Sequence, residues 1–193
     1  MKKLVVIFIV VSIFTLSGCG NNTNQDNQPN QNQENVNQGM DHSDMNQGEM
    51  NHSSSGEVPK GLKEAVNPTY PVGSQAIITD AHMEGMKGAT ATIVGAYDTT
   101  AYAISYTPAT GGPRVTDHRW VIHEELVDPG TAPLKPGTKV TVQAEHMAGM
   151  NGVTATIDSA VPTTVYMIDF TPTNGGEEVK NHKWVTESEL SPK

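Results

Sequence analysis

The chain has 193 residues, with 21 Asp and Glu against 12 Lys and Arg and a formal net charge of −9 at pH 7. So acidic a chain lacks the basic surface that a phosphate backbone requires, which excludes nucleic acid as an expected partner. Its single cysteine excludes a disulfide framework, a CxxC redox pair and a Cys-based zinc site.

Lys2 and Lys3 make a short basic start, and residues 4–16 are an apolar run too short to span a bilayer comfortably. Leu16, Ser17, Gly18 and Cys19 follow. This is the layout of an export signal, and small residues directly before a cysteine resemble the lipobox of bacterial lipoproteins. On that reading residues 1–18 are a signal peptide, and Cys19 becomes a lipidated first residue anchoring the chain to the outer face of the cell membrane. An ordinary cleaved signal and an uncleaved anchor helix are the alternatives.

Residues 20–56 are rich in Asn and Gln and hold no aromatic residue. Such a stretch cannot bury enough apolar surface to offset the entropy of ordering, so residues 19–60 are expected to form a disordered tether. As a random coil it reaches on the order of 30 Å from the membrane. Its distal third carries Met40, Met45 and Met50 at intervals of five, with His42 and His52 each two residues after a Met.

From residue 61 the chain reads as globular, in two copies of one unit. Residues 73–126 align with 137–190 without a gap, roughly half of the positions being identical, which is a strong internal-repeat signal. The expected domains are a first β module over 61–130 and a second over 131–193. Alternation places Ala76 and Ile78, matched by Val140 and Val142, on the inner face of a first strand. Ala89, Ala91 and Ile93 mark a second strand, and Tyr102, Ile104 and Tyr106, matched by Tyr166, Ile168 and Phe170, a third. Trp120 and Trp184 open a final strand closed by Glu-Leu. About five short strands per unit predict an all-β protein of two tandem SH3-like barrels packed together, with a β-sandwich shared by the repeats as the alternative.

Apart from the start codon there are eight Met, and seven of them lie within five residues of a His. Met normally fills gaps in a core, so clustering it in hydrophilic turns beside His and Gly runs against its ordinary use. Thioether sulfur with imidazole favours Cu(I), disfavours oxygen-demanding Mg²⁺ and Ca²⁺, and suits zinc less than thiolate does. The turn His82-Met83-Glu84-Gly85-Met86-Lys87-Gly88 returns as His146-Met147-Ala148-Gly149-Met150-Asn151-Gly152. Its glycines permit a tight fold, which is expected to bring His82 and Met86, and likewise His146 and Met150, to one side. Met83 and Met147, adjacent to the His on extended chain, are expected to point away or pack beneath the turn.

His118 and His182 lie two residues before the core Trp and could complete a three-coordinate site, within one repeat or across the two. Structural readings stand beside these. The turn can be what the fold requires, with its His bonded to a carbonyl and its Met closing a barrel, and His118 and His182 can be structural hydrogen-bonders. His123, whose counterpart is Glu187, reads as a surface residue, and Met167 as strand packing.

The pattern HMxGMxGAxATI…YxIxYTPxTGGxxVxxHxWVxxxEL, duplicated behind a lipobox and a Met/His-rich tether, resembles the YdhK-like lipoproteins, which include the CopL copper-resistance lipoproteins. The resemblance covers residues 73–190. It implies a membrane-anchored extracytoplasmic protein that binds Cu(I) and limits copper toxicity beside copper export, with His82, Met83, Met86, His146, Met147 and Met150 matching the repeated motif. Ligands in the tether rest on chemistry alone. The expected function is therefore sequestration of copper, with a metallochaperone serving a copper-exporting transporter as a variant. A cell-wall-binding β module without a metal role is the competing class, and the sequence carries no nucleophile or paired carboxylates of the kind an enzyme would need.

Overall fold

The computed structural model describes residues 52–80 and 82–193, which fall within one compact unit. Eight strands occur in chain order: β1 (Lys63–Glu64), β2 (Gln75–Ile78), β3 (Thr90–Tyr106), β4 (Val115–Ile122), β5 (Lys139–Thr141), β6 (Thr154–Phe170), β7 (Val179–Thr186) and β8 (Leu190–Pro192). Short 3-10 turns at His123–Glu125 and Glu187–Glu189 follow β4 and β7. The described residues contain no α-helix, as the alternation predicts.

The sheet runs β5-β6-β3-β2-β8, with β1 and β4 also on β3 and β7 also on β6. It is not closed, so the closed SH3-like form is not seen among the described residues. The second and third strands expected in each unit are also not separate. Each pair is one strand of 17 residues: the stretch between them carries Val94, Thr99 and Thr100 in β3 and Val161, Thr163, Thr164 and Val165 in β6, and holds no two-residue turn pair. A bulge falls between Ile93 and Gly95, and Gly95 itself pairs with Met167. A Cβ there would come within 2.7 Å of the Tyr97 ring, so the glycine makes room for that side chain.

β3 and β6 pair antiparallel along their whole length, from Ala91↔Phe170 to Tyr106↔Ala155. The first half of β3 also pairs with β2, and its second half with β4; β6 pairs first with β5 and then with β7. Each long strand thus enters one lobe and leaves through the other. One core joins Ala76, Ile78, Met86, Ala91 and Ile93 to Tyr166, Ile168, Phe170 and Leu190. A second joins Tyr102, Ile104, Tyr106 and Leu126 to Val142, Met150, Val153 and Ile157. Each of these two cores therefore combines the first half of one repeat with the second half of the other. Trp120, Trp184 and Met167 pack in a third cluster, with Ala101, Ala103 and Val165.

The glycine turns dock across the same boundary. Thr173 N donates to Gly85 O at 2.9 Å, and Ala109 N donates to Gly149 O at 2.9 Å. Gly149 has φ +76°, and a Cβ on it would lie 2.6 Å from Thr110 Oγ1 and 3.0 Å from Thr110 N. Gly137 has φ +86° but open space around it. Gly149→Ala should therefore lose more stability than Gly137→Ala, which bears only the positive-φ strain of about 1–3 kcal/mol; urea denaturation of the two variants measures the difference.

Candidate metal-binding cleft

Met86 and Met150 are fully buried, each within the core of its lobe. Met83 and Met147 are half-buried and line a cleft of about 950 Å³ together with His52, His82, His118, His146 and His182. The expected order within the turn is thus reversed. The backbone bends at Gly85 and Gly149 with positive φ, so the alternation of an extended chain does not apply. The sulfur that turns inward is the one after the bend. Met147 Sδ accepts a weak hydrogen bond from Tyr106 Oη at 3.8 Å.

The four repeat imidazoles pair across the repeats. His82 Nε2 lies 3.2 Å from His182 Nε2, with the rings stacked at 5.4 Å. His118 and His146 have ring centroids 6.3 Å apart. Two nitrogens on one tetrahedral ion, at metal–nitrogen distances of about 2.0–2.1 Å, are separated by about 3.3 Å. The His82–His182 spacing fits that arrangement. Among the described residues no group of three or more His, Cys, Asp and Glu is arranged to hold an ion. The soft-ligand chemistry depends on thioethers, which lie outside that set.

Two carboxylates that the sequence reading left as strand-closing positions prove central. Glu125 and Glu189 are each 4% exposed. Glu125 Oε1 accepts from Trp184 Nε1 at 3.1 Å and meets His146 Nε2 at 2.8 Å, while its Oε2 accepts from Ile122 N at 3.1 Å. Glu189 Oε2 accepts from Trp120 Nε1, Thr186 N and Thr186 Oγ1 at 2.8, 2.8 and 2.9 Å. Its Oε1 lies 3.6 Å from His82 Nδ1, too long for a hydrogen bond. Each carboxylate thus holds the Trp and faces the turn His of the other repeat. Their identity in both copies was the available signal, but a Glu-Leu pair closing a strand looks like surface.

Burial, followed by the neighbouring His82, His52 and His146, pushes the His182 pKa down to about 3. Burial, followed by His146 and His82, pushes His118 down to about 4. Both are neutral at pH 7, the form in which imidazole binds a metal. Burial alone would raise the Glu189 carboxyl, but His82 and the donors Thr186 and Trp120 outweigh it and hold the carboxyl below its ordinary value. His82 Nδ1, His118 Nε2, His146 Nδ1 and Glu189 Oε1 are buried without a hydrogen-bond partner among the described residues. Such orphaned atoms in a polar cleft fit a site for a ligand.

His52 lies against His182 with ring centroids 6.4 Å apart, edge to face, and burial followed by His82 lowers its pKa. Residues 53 and 54, within the segment expected to be tether, are held against β7, where the Ser53 and Ser54 hydroxyls bond to residues 180 and 181. Met40, His42, Met45, Met50 and Cys19, with residues 1–18, lie outside the described residues. His123 is half-buried rather than a surface residue. It meets Tyr102 Oη at 3.0 Å and Gly130 O at 3.1 Å, where its counterpart Glu187 accepts from Tyr166 Oη at 3.0 Å.

The family model described as a protein of unknown function, DUF1541, matches this chain twice, over residues 72–123 and 136–187. The chain belongs to the DUF1541 family, with its domain duplicated. It is 55% identical over 192 residues to the uncharacterized protein YdhK of Bacillus subtilis (strain 168), covering 100% of this chain and 90% of that one. A crystal structure of this DUF1541 relative matches with a TM-score of 0.72 at 63% identity, covering 75% of this chain and 99% of the other. A solution NMR structure of the C-terminal domain of B. subtilis YdhK matches with a TM-score of 0.61 at 63% identity, covering 64% and 93%. Each DUF1541 match spans one sequence repeat, whereas each core of the fold is shared between two.

Two outcomes follow from this geometry. Met86→Ala should cost about 2–5 kcal/mol of stability by leaving a core cavity, whereas Met83→Ala should leave the denaturation midpoint nearly unchanged. Lowering the pH should destabilise the metal-free protein. His182 and His118 bind protons less readily folded than unfolded, so their contribution is present above about pH 6.5 and is lost as the pH falls toward 4 and 3. Glu189, also depressed, acts in the same direction. Thermal denaturation from pH 7.5 to pH 4 reads the effect, and His182→Gln should flatten it.

Proposed function

We propose that this protein is a lipid-anchored, extracytoplasmic copper-binding protein that holds Cu(I) with imidazole and thioether ligands and so contributes to copper resistance. The observation that carries the reading is the His82–His182 pair, two nitrogens 3.2 Å apart in a cleft that Met83 and Met147 also line. Soft thioether beside neutral imidazole is a donor set for Cu(I) rather than for oxygen-seeking cations. Glu189 and Glu125, behind the turn imidazoles, correspond to the carboxylates that orient metal-ligating His rings.

Residues 1–18 are read as the signal and Cys19 as the lipidated residue that keeps the chain at the outer face of the membrane. Met40, His42, Met45, Met50 and His52 are read as a capture segment. Sequestration lowers the free ion that can enter the cell or cycle between oxidation states, and the reading includes no catalytic step. Transfer to a copper-exporting transporter would differ from storage only in off-rate.

The test is an anaerobic Cu(I) titration of the soluble chain beginning at residue 20, in competition with a chromogenic chelator. The combined His82→Ala and His182→Ala variant should lose at least about tenfold in affinity, equivalent to about 1.4 kcal/mol. Met83→Ala with Met147→Ala should weaken Cu(I) binding while leaving stability intact. A chain that fails to compete with the chelator, with or without residues 20–51, would sink the copper reading.

A further inference from the structure

Duplication makes two His pairs, yet their surroundings differ. Beside His82–His182, β7 carries the end of the tether as a strap. Ser54 N donates to Lys180 O at 2.9 Å, and Lys180 N donates to Ser53 Oγ at 2.9 Å. Ser54 Oγ donates to Asn181 O at 2.7 Å, Asn181 Nδ2 donates to Ser54 O at 3.2 Å, and Lys183 Nζ donates to the Glu57 carbonyl. These bonds place the His52 ring against His182.

The corresponding residues of β4 are Thr116, Asp117 and Arg119. Asp117 has no side-chain N–H to give where Asn181 donates, and Arg119 engages its carboxylate at 3.1 Å. The amide-to-acid difference thus removes, on β4, one of the five hydrogen bonds that hold the strap on β7.

The pairs themselves also differ. On one tetrahedral ion, two imidazole centroids lie about 5–5.5 Å apart, given metal–nitrogen distances of about 2.0–2.1 Å. His82 and His182 meet this at 5.4 Å, with their Nε2 atoms facing. His118 and His146 stand at 6.3 Å, with His146 Nε2 held by Glu125 at 2.8 Å. His146 Nδ1 has no partner among the described residues, so this ring can ligate while Glu125 holds it, but the two rings must close by about 1 Å to share an ion. His52, at 6.4 Å from His182, is about 1 Å beyond the ligating spacing, a distance that a side-chain torsion covers.

We propose that the two pairs are inequivalent sites filled in order. His52 joins His82 and His182 as a third imidazole, so that this pair takes the first Cu(I), and His118 with His146 takes a second ion more weakly. The strap positions the third ligand before metal arrives, so less ordering is required on binding. The proposal rests on the copper reading given above, and it concerns the order among sites rather than the choice of metal.

The experiment is an anaerobic Cu(I) titration of the chain from residue 20 with ¹⁵N-labelled histidine, following the ring nitrogens of the cleft, with His123 as an internal control. The first ion to enter the cleft should shift His52, His82 and His182, and the next His118 and His146. His52→Ala removes the third ligand. Asn181→Asp removes the amide donor to Ser54 O and loosens the strap without replacing a ligand. Each should lower the affinity of the first cleft site by about tenfold or more and make the two pairs respond together. Should His118 and His146 respond first or simultaneously in the unmodified chain, or should both variants keep the order, the inference is overturned while copper binding stands. If no cleft imidazole responds in the folded chain, the copper reading fails and the inference with it.

Discussion

The end-to-end pairing of β3 with β6 is the constraint on which the rest of the molecule depends. Because each strand is long enough to serve both lobes, the first half of one repeat must pack on the second half of the other. The register is pinned by alternate burial: a slip of one residue would turn Ala91 and Ile93 from the core to the opposite face. The turn His after β2 is thereby set beside the imidazole of β7, and the turn His after β5 beside that of β4. Neither repeat alone contains both members of a pair.

Burying Glu125 and Glu189 would be costly without compensation. Indole N–H and backbone N–H groups supply it in both copies, and Thr186 adds a hydroxyl in one. These bonds fix the carboxylates, and the fixed carboxylates confine the turn imidazoles. The third cluster, in which both Trp side chains pack on Ala101, Ala103 and Val165, is thus linked to the cleft by its indole nitrogens. Orientation of the site is a property of the core, not of the loop that carries it.

Much of the fold was legible because β structure writes a period of two and a duplication writes itself twice. The inward faces of Ala89-Ala91-Ile93 and Tyr102-Ile104-Tyr106 were read correctly, but their continuity was not, since one strand running on through a bulge has the same local alternation as two separate strands. His82, His146, His118 and His182 were legible as candidates, whereas the choice between pairing within a repeat and pairing across the two was not, because it arises from strand order rather than local pattern. The assignment of sulfur reversed because curvature at Gly85 and Gly149, not alternation, decides which Met enters the core. Glu125 and Glu189 were missed because a buried acid and an exposed one are the same letter. The attachment of residues 53 and 54 depends on serine hydroxyls meeting a strand edge that sequence alone does not locate.

The hybrid cores bear on how such a protein can arise. A single ancestral unit could complete its lobes only by exchanging halves with a second copy about a two-fold axis, as swapped homodimers do. In the present chain the two copies are covalently joined, so assembly no longer depends on concentration and the partners cannot separate. Joining them also released each half from identity with the other. That freedom is what lets Asn181 stand where its twin is Asp117, something a symmetric dimer of one gene product cannot do.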